Sequence, residues 1–496
     1  MQLTVSPASR PLRGELTLPG DKSLSHRAAL FAALAHGESR IANFLNAGVT
    51  HPLLEALQTL GIPWKMEATT LRVRGRGLEG IPRAARVPRL HCGHSATTMR
   101  LLAGFLAAAG VPAVLDGSPG LRRRPMRRVT APLQAMGVPI HDADGHAPLI
   151  LEARPANQPL RGLTYRLPVA SAQVKTALLL AALAANAPTT LTEPALSRDH
   201  TERMFAALGL PVERPAPLTV RLSPPIPSHI PPLNLSLPGD ISSAAFPLAA
   251  AAITPGSRIT LRGVLLNPGR TGFLDALQHM GAALEVTPRG ETYGEPYGDI
   301  TIAYTPHLHG ITITGDLVVR MVDEFPAFAV VAAFAEGETV VHDAAELRHK
   351  ESDRIAAIVG RLQTLGVNAE ALPDGFRIHG GQPWHGGVLY DPDASGMADF
   401  PLAFLDALRR QNPDLRILGI APNRCDFRRA ETNDLYRLVR QQYKDLVLLP
   451  VAERAQIAYA ASLRRDIFTH LGDTQDQAVI EMGRVVDAVA RRMGLR

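Results

Sequence analysis

Cysteine is almost missing from this chain: Cys92 and Cys425 stand far apart among 496 residues. Two such cysteines exclude a disulfide scaffold and a structural zinc site, and they point to a reducing compartment. Aromatic residues are scarce at 5%, so alanine and leucine must build the core, and stacking of single-stranded nucleic acid has no support. Long hydrophobic runs are lacking too. The longest, within residues 177–187, is about half of the ~20 residues that a membrane span requires. The first residues, MQLTVSPASRPLRG, contain no apolar stretch of the signal-peptide kind. There is no GxxxxGK(S/T) phosphate loop, no GxSxG elbow and no HExxH helix. The 17 histidines show no clear metal-ligand spacing, and the triplet His91, Cys92 and His94 makes a poor metal site by itself. These absences lead to the expectation of a cytoplasmic, water-soluble enzyme of two or three domains with no metal, no cofactor, no membrane and no nucleic acid. The net charge of +6 is mild. It suits an anionic small substrate, nucleic acid or neither. The densest basic cluster, Arg122-Arg123-Arg124 with Arg127-Arg128, has no aromatic residue interleaved.

What is present is a repeated phrase: a short polar loop, then an alanine- and leucine-rich helix, a turn and a strand. It opens at Pro19-Gly20-Asp21-Lys22-Ser23, at Cys92-Gly93-His94-Ser95, at Ser171-Ala172-Gln173, at Gly239-Asp240-Ile241 and at Asp323-Glu324-Phe325-Pro326. The interval is roughly 70–85 residues, longer than the roughly 20–50 residues of a solenoid repeat. Between these starts lie second helices at 49–62, 130–140, 200–212, 272–284 and 352–367, each with apolar residues at helical spacing and a glycine near its end. Each unit therefore reads as strand, helix, strands, helix, strands, with helices packed inward and sheets outside. The same interval predicts a sixth start at 391–407, where Asp399-Phe400-Pro401-Leu402 has the coarse shape. The proline-rich stretch 224–233 reads as a crossing between two halves.

A helix start with small residues is a ready anion site, and several of them build a cleft for more than one anion. At LPGDKSLSHRA, Lys22, Ser23 and Arg27 converge on such a start, which suits a phosphorylated hydroxy acid; a capped, solvated surface helix is the alternative. In RHKESDRI, Lys350, Glu351 and Arg354 fall within about one helical turn. They read either as exposed ion pairs or as two anion-holding cations around a proton-handling carboxylate. Asp323 reads as a helix cap or as a base for a substrate hydroxyl. Ser171 and Gln173 read as ligand contacts or caps, and Arg124 as a ligand-binding or an exposed cation.

Taken together, LPGDKSLSHR, the RRRPM segment, VASAQVKTALLLAAL, LPGDISSAAF, MVDEFPAFAVVAAFAEGETVV and LRHKESDRI resemble the EPSP synthase (3-phosphoshikimate 1-carboxyvinyltransferase) family over about residues 1–388, in the family's order. The resemblance implies an α/β fold: a two-domain inverse α/β barrel of repeated βαβαββ units. One domain would comprise 1–19 plus 239–390 and the other 20–238, with substrates between them. It implies transfer of the enolpyruvyl group of phosphoenolpyruvate to the 5-hydroxyl of shikimate 3-phosphate, in aromatic amino acid biosynthesis, by a monomer. By the same resemblance Lys22, Ser23, Arg27, Ser171, Gln173, Asp323 and Lys350 hold shikimate 3-phosphate. Lys22, Ala96, Arg124, Gln173 and Arg354 hold phosphoenolpyruvate. Asp323, Glu351 and Lys22 move protons.

Two departures accompany the resemblance. The family's Cys-Gly-Asn-Ser-Gly-Thr is here Cys92-Gly93-His94-Ser95-Ala96-Thr97. A methyl at Ala96 is expected to tighten the pocket against the bulkier inhibitor glyphosate. The sixth unit lacks the family's Asp-His-Arg, and residues 391–496 resemble instead the C-terminal half of a ParA-type partition ATPase. The other expectation is accordingly an inactive or chimeric homologue, acting at most as a binding module.

Overall fold

The computed structural model describes residues 11–82, 86–155, 157–350 and 352–382. They fall within one compact unit, residues 10–399. Within them lie five four-stranded sheets, all of one pattern. The sheet around the helix Ala172–Ala182 is typical: Thr164–Arg166 runs parallel to Thr189–Thr192, which pairs antiparallel with Thr219–Leu222, which pairs antiparallel with Val212–Ala216. A parallel pair needs a crossover, and the helix supplies it.

The first helices of the units are Lys22–Leu34, Ala96–Ala109, Ala172–Ala182, Ile241–Ile253 and Phe325–Phe334. They are rich in small and apolar residues and mostly buried, as helices packed among neighbours must be. In Lys22–Leu34 every residue from Ser23 onward is buried. Small side chains set the approach: a Cβ added at Gly104 would lie 2.2 Å from the carbonyl oxygen of Ala177 on the facing helix. The second helices are amphipathic. Arg354–Thr364 buries Ile355, Ile358, Val359 and Leu362 along one stripe. It ends before Gly366, whose φ of 88° closes the last turn in the left-handed region.

Two separate hydrophobic clusters form. One gathers residues from Leu24 to Leu237 together with Leu265; the other runs from Ile241 to Ile378. The chain crosses between them twice, and two sheets exchange their first strands as it does so. Arg13–Thr17 leads into the Lys22 helix but pairs with Arg258–Leu265, and Asn234–Ser236 leads into the Ile241 helix but pairs with His36–Ala42. The crossings carry the same four residues, Leu18-Pro19-Gly20-Asp21 and Leu237-Pro238-Gly239-Asp240. They grip each other symmetrically: the Asp21 amide donates to the Pro238 carbonyl and the Asp240 amide to the Pro19 carbonyl, both at 2.9 Å. Gly20 is required by this contact, since a Cβ there would meet the Asn43 carbonyl oxygen at 1.9 Å. No helix among the described residues is long and apolar enough to cross a membrane.

Candidate active site

The helix Lys22–Leu34 opens at the first crossing. Its cap is Asp21, whose carboxylate accepts the Leu24 amide at 2.9 Å, while the Lys22 amide donates to Asp240 across the crossing at 3.2 Å. Two backbone donors that the sequence offered to an anion are therefore occupied by the protein's own carboxylates. Burial works against the ionised form of Asp21, but Arg270, His200, the Leu24 amide and Arg198 together outweigh it and hold the group down to about 2. The Lys22 side chain itself is exposed. One turn on, Arg27 is 2% exposed. Its guanidinium donates to Thr201 (2.9 Å), Thr176 (2.8 Å) and the Ser23 carbonyl (3.0 Å). Arg27 thus ties this helix start to the helix Ala172–Ala182, on which Thr176 sits.

That second helix is capped by Ser171, which accepts the Val174 amide at 3.5 Å. Gln173 points elsewhere. Its carbonyl oxygen accepts from Arg100 at 2.6 Å, and its amide donates to Thr97 at 2.9 Å. Arg100 also donates to the Pro125 carbonyl at 3.0 Å, fixing the residue after half-buried Arg124. Ala96 opens the neighbouring helix at 1% exposure, behind its cap Ser95, and His94 beside it is exposed. The rest of the basic cluster disperses. Arg122 pairs with Asp116 at 2.6 Å, and Arg128 approaches Glu346 at 3.8 Å. Burial, with Asp116 nearby, pushes the Cys92 thiol up to about 12, so it stays protonated.

Asp323 is the focus of the cations. The helix it was expected to open begins one step later, with Glu324 at the cap position and no side-chain cap bond. The Asp323 carboxylate instead takes Arg198 at 2.6 Å and Arg354 at 3.2 Å. Burial opposes its charge, but Arg198, Lys350, Arg354 and Lys22 together hold it well below the usual carboxylate range. Lys350 shows the reverse balance. Burial, joined by repulsion from Arg354, Arg198 and Arg124, brings it down to about 8 despite Asp323. Lys350 and Arg354 do not share a helical turn as RHKESDRI suggested. A 3-10 turn, Ala345–His349, ends at Lys350, and the next helix starts at Arg354 behind the cap Asp353. Glu351 lies outside the described residues.

The structure therefore groups Lys22, Lys350 and Arg354 electrostatically about Asp323 and Arg124 near Lys350, with Ser23, Arg27, Ser171 and Gln173 on the two linked helix starts. Sequence reasoning missed Arg198 and Arg100. Arg198 had one signal: a cation just ahead of the second helix His200–Ala207. Arg100, 5% exposed, had none, because its partner Gln173 is remote in sequence.

The family described as EPSP synthase (3-phosphoshikimate 1-carboxyvinyltransferase) matches residues 7–391. The chain belongs to that family. A 3-phosphoshikimate 1-carboxyvinyltransferase of Roseiflexus sp. (strain RS-1) is 48% identical over 391 residues, 78% of this chain and 89% of the relative. One from Acidithiobacillus ferrooxidans (strain ATCC 53993 / BNL-5-31) is 45% identical over 420 residues, 84% of this chain and 93% of the relative. The solved EPSP synthase of Acinetobacter baumannii superposes with a TM-score of 0.68 at 39% identity, covering 76% of this chain and 84% of its own. The fold is accordingly the α/β enolpyruvyl transferase fold. The partition-ATPase resemblance of residues 391–496 lies outside the described residues, and none of these comparisons carries it.

Proposed function

We propose that this chain joins the enolpyruvyl group of phosphoenolpyruvate to the 5-hydroxyl of shikimate 3-phosphate, giving EPSP and phosphate. The observation that carries the residue assignments is Asp323, an ionised carboxylate ringed by cations. Both substrates are multiply anionic, so a ring of guanidinium and ammonium groups preorganises the site for them. Ser23, Arg27, Ser171, Gln173 and Lys350 hold shikimate 3-phosphate, Arg27 with the donors left beyond Thr176 and Thr201. Lys22, Ala96, Arg124, Gln173 and Arg354 hold phosphoenolpyruvate. When the substrate anions draw Arg354 and Lys350 onto themselves, Asp323 loses part of the field that keeps it a weak base. It then takes the proton of the attacking hydroxyl. The oxygen adds to C2 while C3 is protonated, with Lys22 and Glu351 handling that proton; phosphate then leaves the ketal as a proton is withdrawn from C3, which restores the carbon–carbon double bond.

The division into 1–19 plus 239–390 and 20–238 is proposed as the domain boundary, supported by the two hydrophobic clusters and the paired crossings. A cytoplasmic location is the accompanying proposal, supported by the scarcity of cysteine, and a monomer is proposed with it on the family resemblance alone. The test is phosphate release by the purified chain supplied with both substrates. Release that requires both substrates supports the reading. No release above background, with the chain folded, favours the inactive homologue.

A further inference from the structure

We propose that Arg270 is a positioning residue that fixes Lys22 and Asp323 to one buried anchor at the double crossing. It lies on the loop between the strand Arg258–Leu265 and the helix Gly272–His279, and it is 2% exposed. One guanidinium nitrogen, Nη1, donates to Asp21 Oδ2 at 2.9 Å. The other, Nη2, donates to Ser242 Oγ at 2.9 Å and lies 3.6 Å from Asp240 Oδ1. Asp21 caps the helix that begins at Lys22, and Asp240 accepts the Lys22 amide from the other side. Ser242 passes the link on by a short hydrogen bond to Glu324, the residue next to Asp323. The fork of a single side chain therefore reaches the backbone carrying the proposed proton donor and the backbone carrying the proposed base.

Charge explains why this arrangement is sensitive. Asp21, Asp240 and Glu324 are all buried, at 0%, 6% and 1% exposure, and Arg270 is the cation among them. Burial together with Asp21 raises the Asp240 carboxyl, and burial together with Asp323 raises that of Glu324. Asp21, by contrast, is held down to about 2. Lysine cannot replace the guanidinium here, because a point charge on a flexible stem cannot address both arms in fixed geometry. A displacement of about 1 Å at a reacting group costs up to about 100-fold in rate.

The catalytic part of this proposal rests on the function proposed above. Its test uses the full chain and the variants Arg270→Lys and Ser242→Ala, the second of which cuts one arm without removing a charge. Arg270→Lys is expected to lower kcat about 10–100-fold with KM for each substrate changed less than about threefold. Ser242→Ala is expected to lower kcat less. The double variant is expected to be little worse than Arg270→Lys alone, because the two act through one link. Hydrogen exchange of Arg270→Lys is expected to quicken together in the first turns of Lys22–Leu34 and Phe325–Phe334. A kcat within about twofold of the parent chain, or an exchange change confined to residues 266–279, overturns the proposal. If the parent chain itself releases no phosphate, the functional reading fails while the exchange experiment still decides whether Arg270 joins the two helix starts.

Discussion

Two carboxylates stand close to the starts of two alanine-rich helices in this molecule, and their fates differ. Asp21 is fully buried, caps its helix and binds Arg270 at 2.9 Å. Asp323 caps nothing, is partly exposed and faces Arg198 and Arg354. Both are held below the usual carboxylate range, Asp21 to about 2 and Asp323 well below it. The shift alone does not tell structure from chemistry; the partners do. Arg270 is sealed in the crossing, whereas the cations at Asp323 are, in the proposed mechanism, drawn onto anionic substrates. A carboxylate whose partners can leave is one whose basicity can be switched on.

The contrast is sharpest in two amide substitutions. Asp323→Asn is expected to lower kcat by about 10²–10⁴-fold, the range of a lost general base, with little change in the denaturant midpoint. Asp21→Asn is expected to act on the fold, destabilising it by about 3 kcal/mol in urea titration because buried Arg270 loses its nearest anionic partner and keeps Asp240, at 3.6 Å. Removing the Ala96 methyl tests the proposed place of that residue beside phosphoenolpyruvate. Ala96→Gly is expected to tighten glyphosate inhibition about tenfold or more, as one methyl in a closed pocket decides. Strong inhibition of the parent chain, competitive with phosphoenolpyruvate, would remove that expectation.

A smaller effect separates Lys350 from the arginines around it. Its folded value of about 8 means that its charge fades as pH rises through 8. KM for shikimate 3-phosphate should therefore climb above pH 8 in the parent chain, by several-fold per lost charge contact. It should stay level in Lys350→Arg, whose charge persists. The smallest effect is purely local. Ser95→Ala removes the cap that accepts the Thr98 amide and should cost about 1 kcal/mol of stability.

Much of this was legible because it is local. The second helices and their terminal glycines follow from apolar spacing and from the left-handed backbone that glycine accepts, as at Arg354–Thr364 and Gly366. The candidate side chains Lys22, Arg27 and Asp323 were visible as charges at helix starts that otherwise contain small residues. The strand exchange was not legible. Nothing in Arg13–Thr17 says that it pairs with residues about 245 positions away in Arg258–Leu265, because pairing is decided by the whole sheet. Arg27 illustrates the same limit. Its sequence context advertises a free cation, while Thr176 and Thr201, distant in the chain, turn it into a brace. Arg198 was missed for that reason too: its meaning lies in Asp323, 125 residues on. Glu351 and residues 391–496, the sixth start among them, lie outside the described residues.

The central claim is that Asp323 serves chemistry and Asp21 serves structure. The most direct test mixes shikimate 3-phosphate and phosphoenolpyruvate with Asp323→Asn in a single turnover, following both substrate binding and product formation. The account predicts that shikimate 3-phosphate still binds within about tenfold of the parent affinity while product formation falls at least about 100-fold. Product formation within about tenfold of the parent rate would contradict it.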